Sequence, residues 1–260
     1  MRIGYPGLTL GAFLFLYLWE GGHPRVASPR RMRHVLRNLG LFAVMVVVAD
    51  GVVGGALIGF RPDRLMTSNG LLTPLALPLA VEAIAGVLVT DLASYALHRV
   101  SHGVRPLWLV HAVHHSDPHL DVTTGLRFHP VDMSCYVAIV VATLTLLGLP
   151  LWVEGLRALA LNPLAMAQHA NVLWPTWIER RVGWLLVTPA MHRVHHDAGA
   201  PGIEGNFGQV FSFWDRLFGT YIPPAAADPP RIGVPALAAP QWQTVGGMLA
   251  TPWRARALLR

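Results

Sequence analysis

The sequence predicts an all-α integral membrane protein, about four to five membrane segments carrying a histidine-rich helical cap on the cytoplasmic side. Three observations lead there. Hydrophobic residues fill 53% of the 260 positions and charged residues only 13%, about half the ~25% usual in soluble domains. The apolar residues gather into runs long enough to cross a ~30 Å hydrocarbon core. The histidines cluster where those runs end.

The first run, Gly4–Leu18, ends at Glu20. It lacks a basic stretch before it and a small-residue cleavage site after it, so it reads as a short membrane segment and not as a removed signal peptide. Leu39–Phe60 carries only Asp50 as a charge, and Leu71–Leu97 carries Glu82 and Asp91. Met133–Val153 and Leu156–Leu173, parted by Pro150 and Glu154-Gly155, read as the arms of a hairpin. Arg25, Arg30, Arg31, Arg33 and Arg37 lie between the first two runs, which places that loop in the cytoplasm. Counting forward, the third run then ends in the cytoplasm near His98, and the hairpin leaves from and returns to that side. Residues 1–90 thus form an N-terminal membrane unit. Pro223–Pro240 reads as an irregular connector, and Trp242–Arg260 as either a surface-lying or a disordered tail.

All twenty basic residues are arginine, a habit of composition and not a functional signal. They form no aromatic-flanked patch, so the net charge of +6 suits an anionic membrane surface better than nucleic acid. The single cysteine, Cys135, excludes a disulfide framework or an iron–sulfur cluster built by this chain alone. It reads as a small buried hydrophobe.

The histidines carry the chemical information. His98 and His102 are spaced i, i+4; His111, His114 and His115 are spaced i, i+3, i+4; His192, His195 and His196 repeat that pattern. On a helix such spacings stack side chains on one face. Neutral imidazole suits iron, zinc, copper and nickel. Eight such ligands exceed what one metal of coordination number four to six accepts, so the count favours a dimetal centre. His129 before the hairpin and His169 at its end are returned to the same membrane face, which makes ten candidates. Asp91, Tyr95, His98 and His102 form one polar stripe, and Asp91 is placed to accept a hydrogen bond from a ligating imidazole. His23 and His34 read as exposed, and His119 as a loop residue. Glu20-Gly-Gly-His23 matches a carboxylate di-iron half-motif, but no second copy exists. Arg99, Arg127 and Arg193 flank ligands and read as contacts to headgroups or carbonyls.

These motifs resemble the fatty acid hydroxylase / sterol desaturase superfamily. The resemblance runs from about Asp91 to Tyr221 through YALHRVSH, WLVHAVHHS, RFHPVD, QHANV, MHRVHHD and NFGQVFSFWDRLFGTY. It implies that residues 91–222, including a hairpin at about 133–173, form the catalytic domain of a membrane-bound non-haem di-iron enzyme. Such an enzyme uses O2 and external electrons to hydroxylate or desaturate a lipid. It also implies two iron ions, with zinc as a substitute acquired in purification, held by His98, His102, His111, His114, His115, His129, His169, His192, His195 and His196. Asp91, Tyr95, Asp132, Asn171, Asp197 and Asn206 are the candidates for orienting them. Phe207 stands in Glu204-Gly205-Asn206-Phe207-Gly208 where the family pattern has tyrosine.

The chain contains no haem-binding domain and no G-x-G-x-x-G fingerprint. A ferredoxin or cytochrome-type donor with its reductase is therefore expected. The expected location is a bacterial inner membrane, with the metal site facing the cytoplasm. A zinc hydrolase is a weaker reading because no H-E-x-x-H is present. A metal transporter is weaker because its ligands would lie near the bilayer midplane.

Overall fold

The computed structural model describes residues 4–28, 31–59, 69–150, 152–199, 202–224 and 231–259. Among these the chain is helical, with isolated bridges and no extended strand. The main helices are α1 (Gly4–Gly22), α2 (Arg31–Gly59), α3 (Leu79–Gly103), α4 (Arg105–His115), α5 (Pro130–Leu147) and α6 (Trp152–His169). Three short helices, α7 (Thr176–Val182), α8 (Pro189–His195) and α9 (Phe213–Leu217), precede α10 (Val245–Arg254).

The helix boundaries follow local chemistry. The third apolar run starts as a helix only at Leu79, because Pro74 and Pro78 interrupt it, and a 3-10 turn over Thr73–Leu75 fills the gap. α5 opens with Pro130 at its first turn and stops at Gly148. Gly148 adopts φ +73° and returns its N–H to the carbonyls of Leu144 and Thr145. A Cβ there would collide with Thr73 and the backbone of Gly70. The hairpin corner is thus locked against the 70–73 turn, whose Leu71 and Leu72 N–H groups donate to Leu146 and Leu147.

Of the five expected segments, two, α3 and α5, are long and apolar enough to span a membrane among the described residues. Only 28% of each apolar window is buried inside the protein, which leaves broad apolar faces outward. The expected second arm of the hairpin, α6, carries Glu154, Arg157, Asn162, Pro163 and Gln168 and does not meet that description. It packs on α1, α3, α8 and the 3-10 turn over Val122–Leu126. The arginine-rich loop is shorter than expected, because Arg31, Arg33 and Arg37 belong to the first turns of α2. The end of the second run at Phe60 lies outside the described residues.

The C-terminal tail is neither surface-lying nor disordered where described. α10 packs on α2 and α4, burying Leu237, Met248, Ala255 and Leu259. Arg105 donates to the Arg256 carbonyl at 2.7 Å. Of the connector, residues 225–230 lie outside the described residues. Its following part is held where Ala198 N–H donates to the Arg231 carbonyl.

His34 also departs from its expected exposure. It is buried between Asp117 and Asp121, with 2.7 Å contacts from Nε2 and Nδ1 respectively. Burial opposes its charge, but the two carboxylates outweigh it and raise the imidazole to about 10. Burial likewise opposes the charge on Asp117, and His34 and Arg127 hold it well below the usual carboxylate range. Arg127, fully buried, donates to the Val113 carbonyl, Asn38, Ser116 and Gln243. One charged network therefore joins α2, the end of α4, the 3-10 turn and the tail. Its members were invisible as a group in sequence because they come from three distant stretches, 34–38, 113–127 and Gln243. Cys135 is half-buried and free, so it is not the buried hydrophobe expected. His23 is exposed, as expected, and His119 lies exposed in the loop after α4.

Two measurements test these polar anchors. His34→Ala leaves two buried carboxylates without their imidazolium and is expected to cost about 3–5 kcal/mol, read as a lowered unfolding midpoint in detergent. Glu20 is raised to about 7, first by burial and then by Asp121. A carboxyl raised in the fold binds its proton more tightly there than in the unfolded chain. Its contribution is therefore fully present below the ordinary carboxyl value of 4.5 and is lost as pH rises through about 7. The melting temperature of Glu20→Gln should fall less than that of the parent across this window; parallel profiles would refute the assignment.

Candidate metal centre

Four elements deliver the histidines. α3 presents His98 and His102 one turn apart, α4 ends in His111, His114 and His115, and α6 ends at His169. α8 is started by the Thr188 side chain, which accepts from Met191 N–H, and by Pro189, and carries His192, His195 and then His196. Nine of these side chains converge in two groups whose ligand nitrogens lie within 4.8 Å of one another: His98, His102, His111, His115 and His195, and His114, His169, His192 and His196.

The H-x-x-H-H pattern explains the division. Residues at i and i+4 share a helix face, while i+3 is turned about 60° away. His111 and His115 therefore enter the first group and His114 the second. The last motif does the reverse: His192 and His196 enter the second group and His195 the first. Each triplet thus contributes to both groups and holds them side by side, with the His115 and His196 rings 4.4 Å apart.

Hydrogen bonds on the outer nitrogens determine which nitrogens face inward. His98 Nδ1 donates to the Phe207 carbonyl at 2.7 Å and His195 Nδ1 to the Gly205 carbonyl at 2.8 Å. A carbonyl can only accept, so each Nδ1 bears the proton and each Nε2 keeps its lone pair. His111 Nδ1 contacts Asp132 Oδ2 at 2.9 Å. The Nε2 atoms of His98, His102, His111 and His195 are buried and have no partner among the described residues. In the second group, His169 Nδ1 donates to the Ala165 carbonyl, and its Nε2 lies 2.8–3.2 Å from those of His192, His114 and His196. Lone pairs crowded this closely need a cation between them or a proton shared among them. Burial, and then the neighbouring imidazoles, hold His114, His115, His192 and His196 well below the ordinary imidazole range, and burial lowers His195 to about 3. Neutral imidazoles of this kind are suited to hold transition metals.

His129, expected among the ligands, stays outside both groups. It caps α5, its Nδ1 accepting from Val131 N–H at 3.2 Å, and its Nε2 donates to the Leu249 carbonyl. Of the residues expected to orient ligands, only Asp132 touches an imidazole directly. Asp91 instead accepts from the N–H groups of Val210 and Phe211 and from Trp214 Nε1. Asn206 bonds Met191 and Ile222 backbone groups, and with φ +55° it shapes the loop that carries the Gly205 and Phe207 carbonyls. Tyr95 bonds Thr220, Asn171 bonds the backbone of Val26, and Asp197 bonds the backbone N–H groups of Gly199 and Arg231. Asp215 went unnoticed in sequence. It accepts from the N–H groups of Phe207 and Gly208 and so sets the carbonyl that orients His98. The acid of its Trp-Asp-Arg triplet was the available signal. Phe207 packs its ring edge-on against His98 and His195, occupying the place with an apolar group.

A cavity of about 390 Å³ opens beside the groups, touching His98, His111, His114, His169 and His192. Its walls are mostly apolar side chains of α5 and α6, among them Val137, Val140, Leu161 and Met166.

The family model described as "Fatty acid hydroxylase" matches residues 83–220, more than half of the chain. Curated relatives include ornithine lipid hydroxylase OlsE of Rhizobium tropici, 31% identical over 60% of this chain and 46% of its own length. They also include alkylglycerol monooxygenases of Xenopus tropicalis and Homo sapiens, 30% and 31% identical over 52% of this chain and 29% of theirs. The chain thus spans less than half the length of these relatives. No solved structure matches it.

The contact between Asp132 and His111 gives a local test. Asp132→Asn should weaken metal binding about 10–100-fold, as measured by competition with a chelator. Asp197→Asn, which alters only backbone contacts, should leave the affinity unchanged.

Proposed function

We propose, for a chain that belongs to the fatty acid hydroxylase family, that it is a membrane-bound di-iron oxygenase hydroxylating a C–H bond of a lipid. The carrying observation is the pair of buried, all-imidazole groups whose unpartnered nitrogens lie beside an apolar cavity. When bound, two iron ions would supply the reductive activation of O2 that attack on an unactivated C–H bond requires. His98, His102, His111, His115 and His195 would hold one ion, and His114, His169, His192 and His196 the other.

The chain's own part is orientation and exclusion of water. Asp132 and the carbonyls of Gly205 and Phe207 keep three of the first group's imidazoles, His111, His195 and His98, in the tautomer that offers Nε2 inward. Phe128 stacks on His114 with ring centroids 4.6 Å apart and closes that side. The apolar walls of α5 and α6 fit an alkyl chain and exclude water from the reacting carbon. The relatives' names, a hydroxylase of ornithine lipid and monooxygenases of alkylglycerol, support a lipid substrate. Electrons come from a separate ferredoxin or cytochrome-type donor with its reductase. The apolar lengths of α3 and α5 support a membrane location, which we read as a bacterial inner membrane with the metal site on the cytoplasmic face. A zinc hydrolase fits less well, since neither histidine group includes a carboxylate to serve as base.

Protein purified from iron-replete cells should carry two irons per chain as a spin-coupled pair by Mössbauer spectroscopy. It should also consume O2 only when both lipid and reductant are supplied. One tightly held zinc and no iron would favour the hydrolase instead.

A further inference from the structure

The cavity has one feature that an alkyl chain does not require. Arg157 is buried on its wall, although burying a charged group is costly unless it is fully paired and hydrogen-bonded. Its Nε and Nη2 donate to the two carboxylate oxygens of Glu154 at 2.7 and 2.8 Å. Its Nη1 is buried and has no acceptor among the described residues. A guanidinium N–H left unsatisfied in a buried site costs more than an ordinary lost hydrogen bond. Asn162, just over one turn further along α6, also lines the cavity, and no hydrogen bond engages its carboxamide among the described residues. Both positions lie on the same helix as His169, with Arg157 roughly 18 Å from it along the axis at 1.5 Å per residue.

Charge determines what such a site accepts. The bidentate Glu154 contact already neutralises Arg157, and Asp91 lies within electrostatic reach of the same guanidinium. A phosphate or carboxylate would add an anion where negative charge is already sufficient. An uncharged oxygen would satisfy Nη1 without that repulsion.

We infer that Glu154, Arg157 and Asn162 form a polar subsite of the cavity that binds an uncharged oxygen acceptor of the lipid, an ester or amide carbonyl, an ether or a hydroxyl, and directs its alkyl chain toward the histidines. This rests on the reading of the cavity as a lipid pocket, and it deepens that reading by assigning the substrate a neutral polar group at a set distance from the oxidised carbon.

The test is equilibrium binding of radiolabelled methyl stearate, octadecane and octadecyl phosphate to the purified full chain in micelles, which needs no turnover. Methyl stearate should bind at least about tenfold tighter than octadecane, the size expected for one hydrogen bond from a charged donor. Arg157→Met should abolish that preference while leaving octadecane binding unchanged. If this variant does not fold, Asn162→Leu, at an exposed position, should still narrow the preference. Equal binding of ester and alkane by the parent protein would overturn the inference, as would a preference for the phosphate. The ester preference should persist in His195→Ala, which lacks one ligand. A chain that holds no iron yet prefers the ester would count against the oxygenase reading alone, and an iron-loaded chain without the preference against this inference alone.

Discussion

Nine imidazoles, eight of them on buried residues, with their lone pairs turned inward are the constraint on which the rest of the structure depends. Such nitrogens are expensive to bury unpaired, and several lie close enough to need a cation between them or a proton shared among them. The helices around them serve chiefly to hold that geometry. α3, α4, α6 and α8 end or begin at the site, and each of the two triplets contributes to both groups.

The support for this geometry is mostly backbone. Carbonyls at Ala165, Gly205 and Phe207 fix imidazole tautomers. They are held in turn by helix 3-4 geometry at α6 and by a loop shaped by Asn206 and Asp215. A side chain two steps from the site can thus matter as much as one that touches it. The same principle operates on the far side. Arg127 and the His34–Asp117 pair tie the tail and α2 to the end of α4, directly behind His114 and His115. This explains why α10, unremarkable in composition, is packed in place.

The all-helical class, the two helices long and apolar enough to span a membrane and the eight motif histidines that fall in the two groups were legible because they rest on local periodicity, whereas the lone His169 was placed by topology. Apolar runs and i, i+3, i+4 spacings survive into structure when the chain forms the helices they imply. Where the reading failed, a distant contact had outweighed the local signal. His34, among arginines, looked exposed until Asp117 and Asp121 enclosed it. Asp91 looked like a partner for a ligating imidazole, but its carboxylate turns to the backbone of Val210 and Phe211. His129 sat at the topologically expected place, yet the α5 cap and the Leu249 carbonyl took both its nitrogens.

The sequence by itself determined that this chain is helical, strongly apolar and equipped with enough clustered histidines for two metals. Helix periodicity and coordination number are local and additive, so they can be counted along a single strand of text. Only the tertiary structure decided which imidazole joins which group, which backbone carbonyl holds each tautomer, and that Arg157 lines the same cavity as His169. Those facts depend on where helices cross. Crossings are set by the packing of side chains from distant parts of the chain, for which one sequence carries no local record.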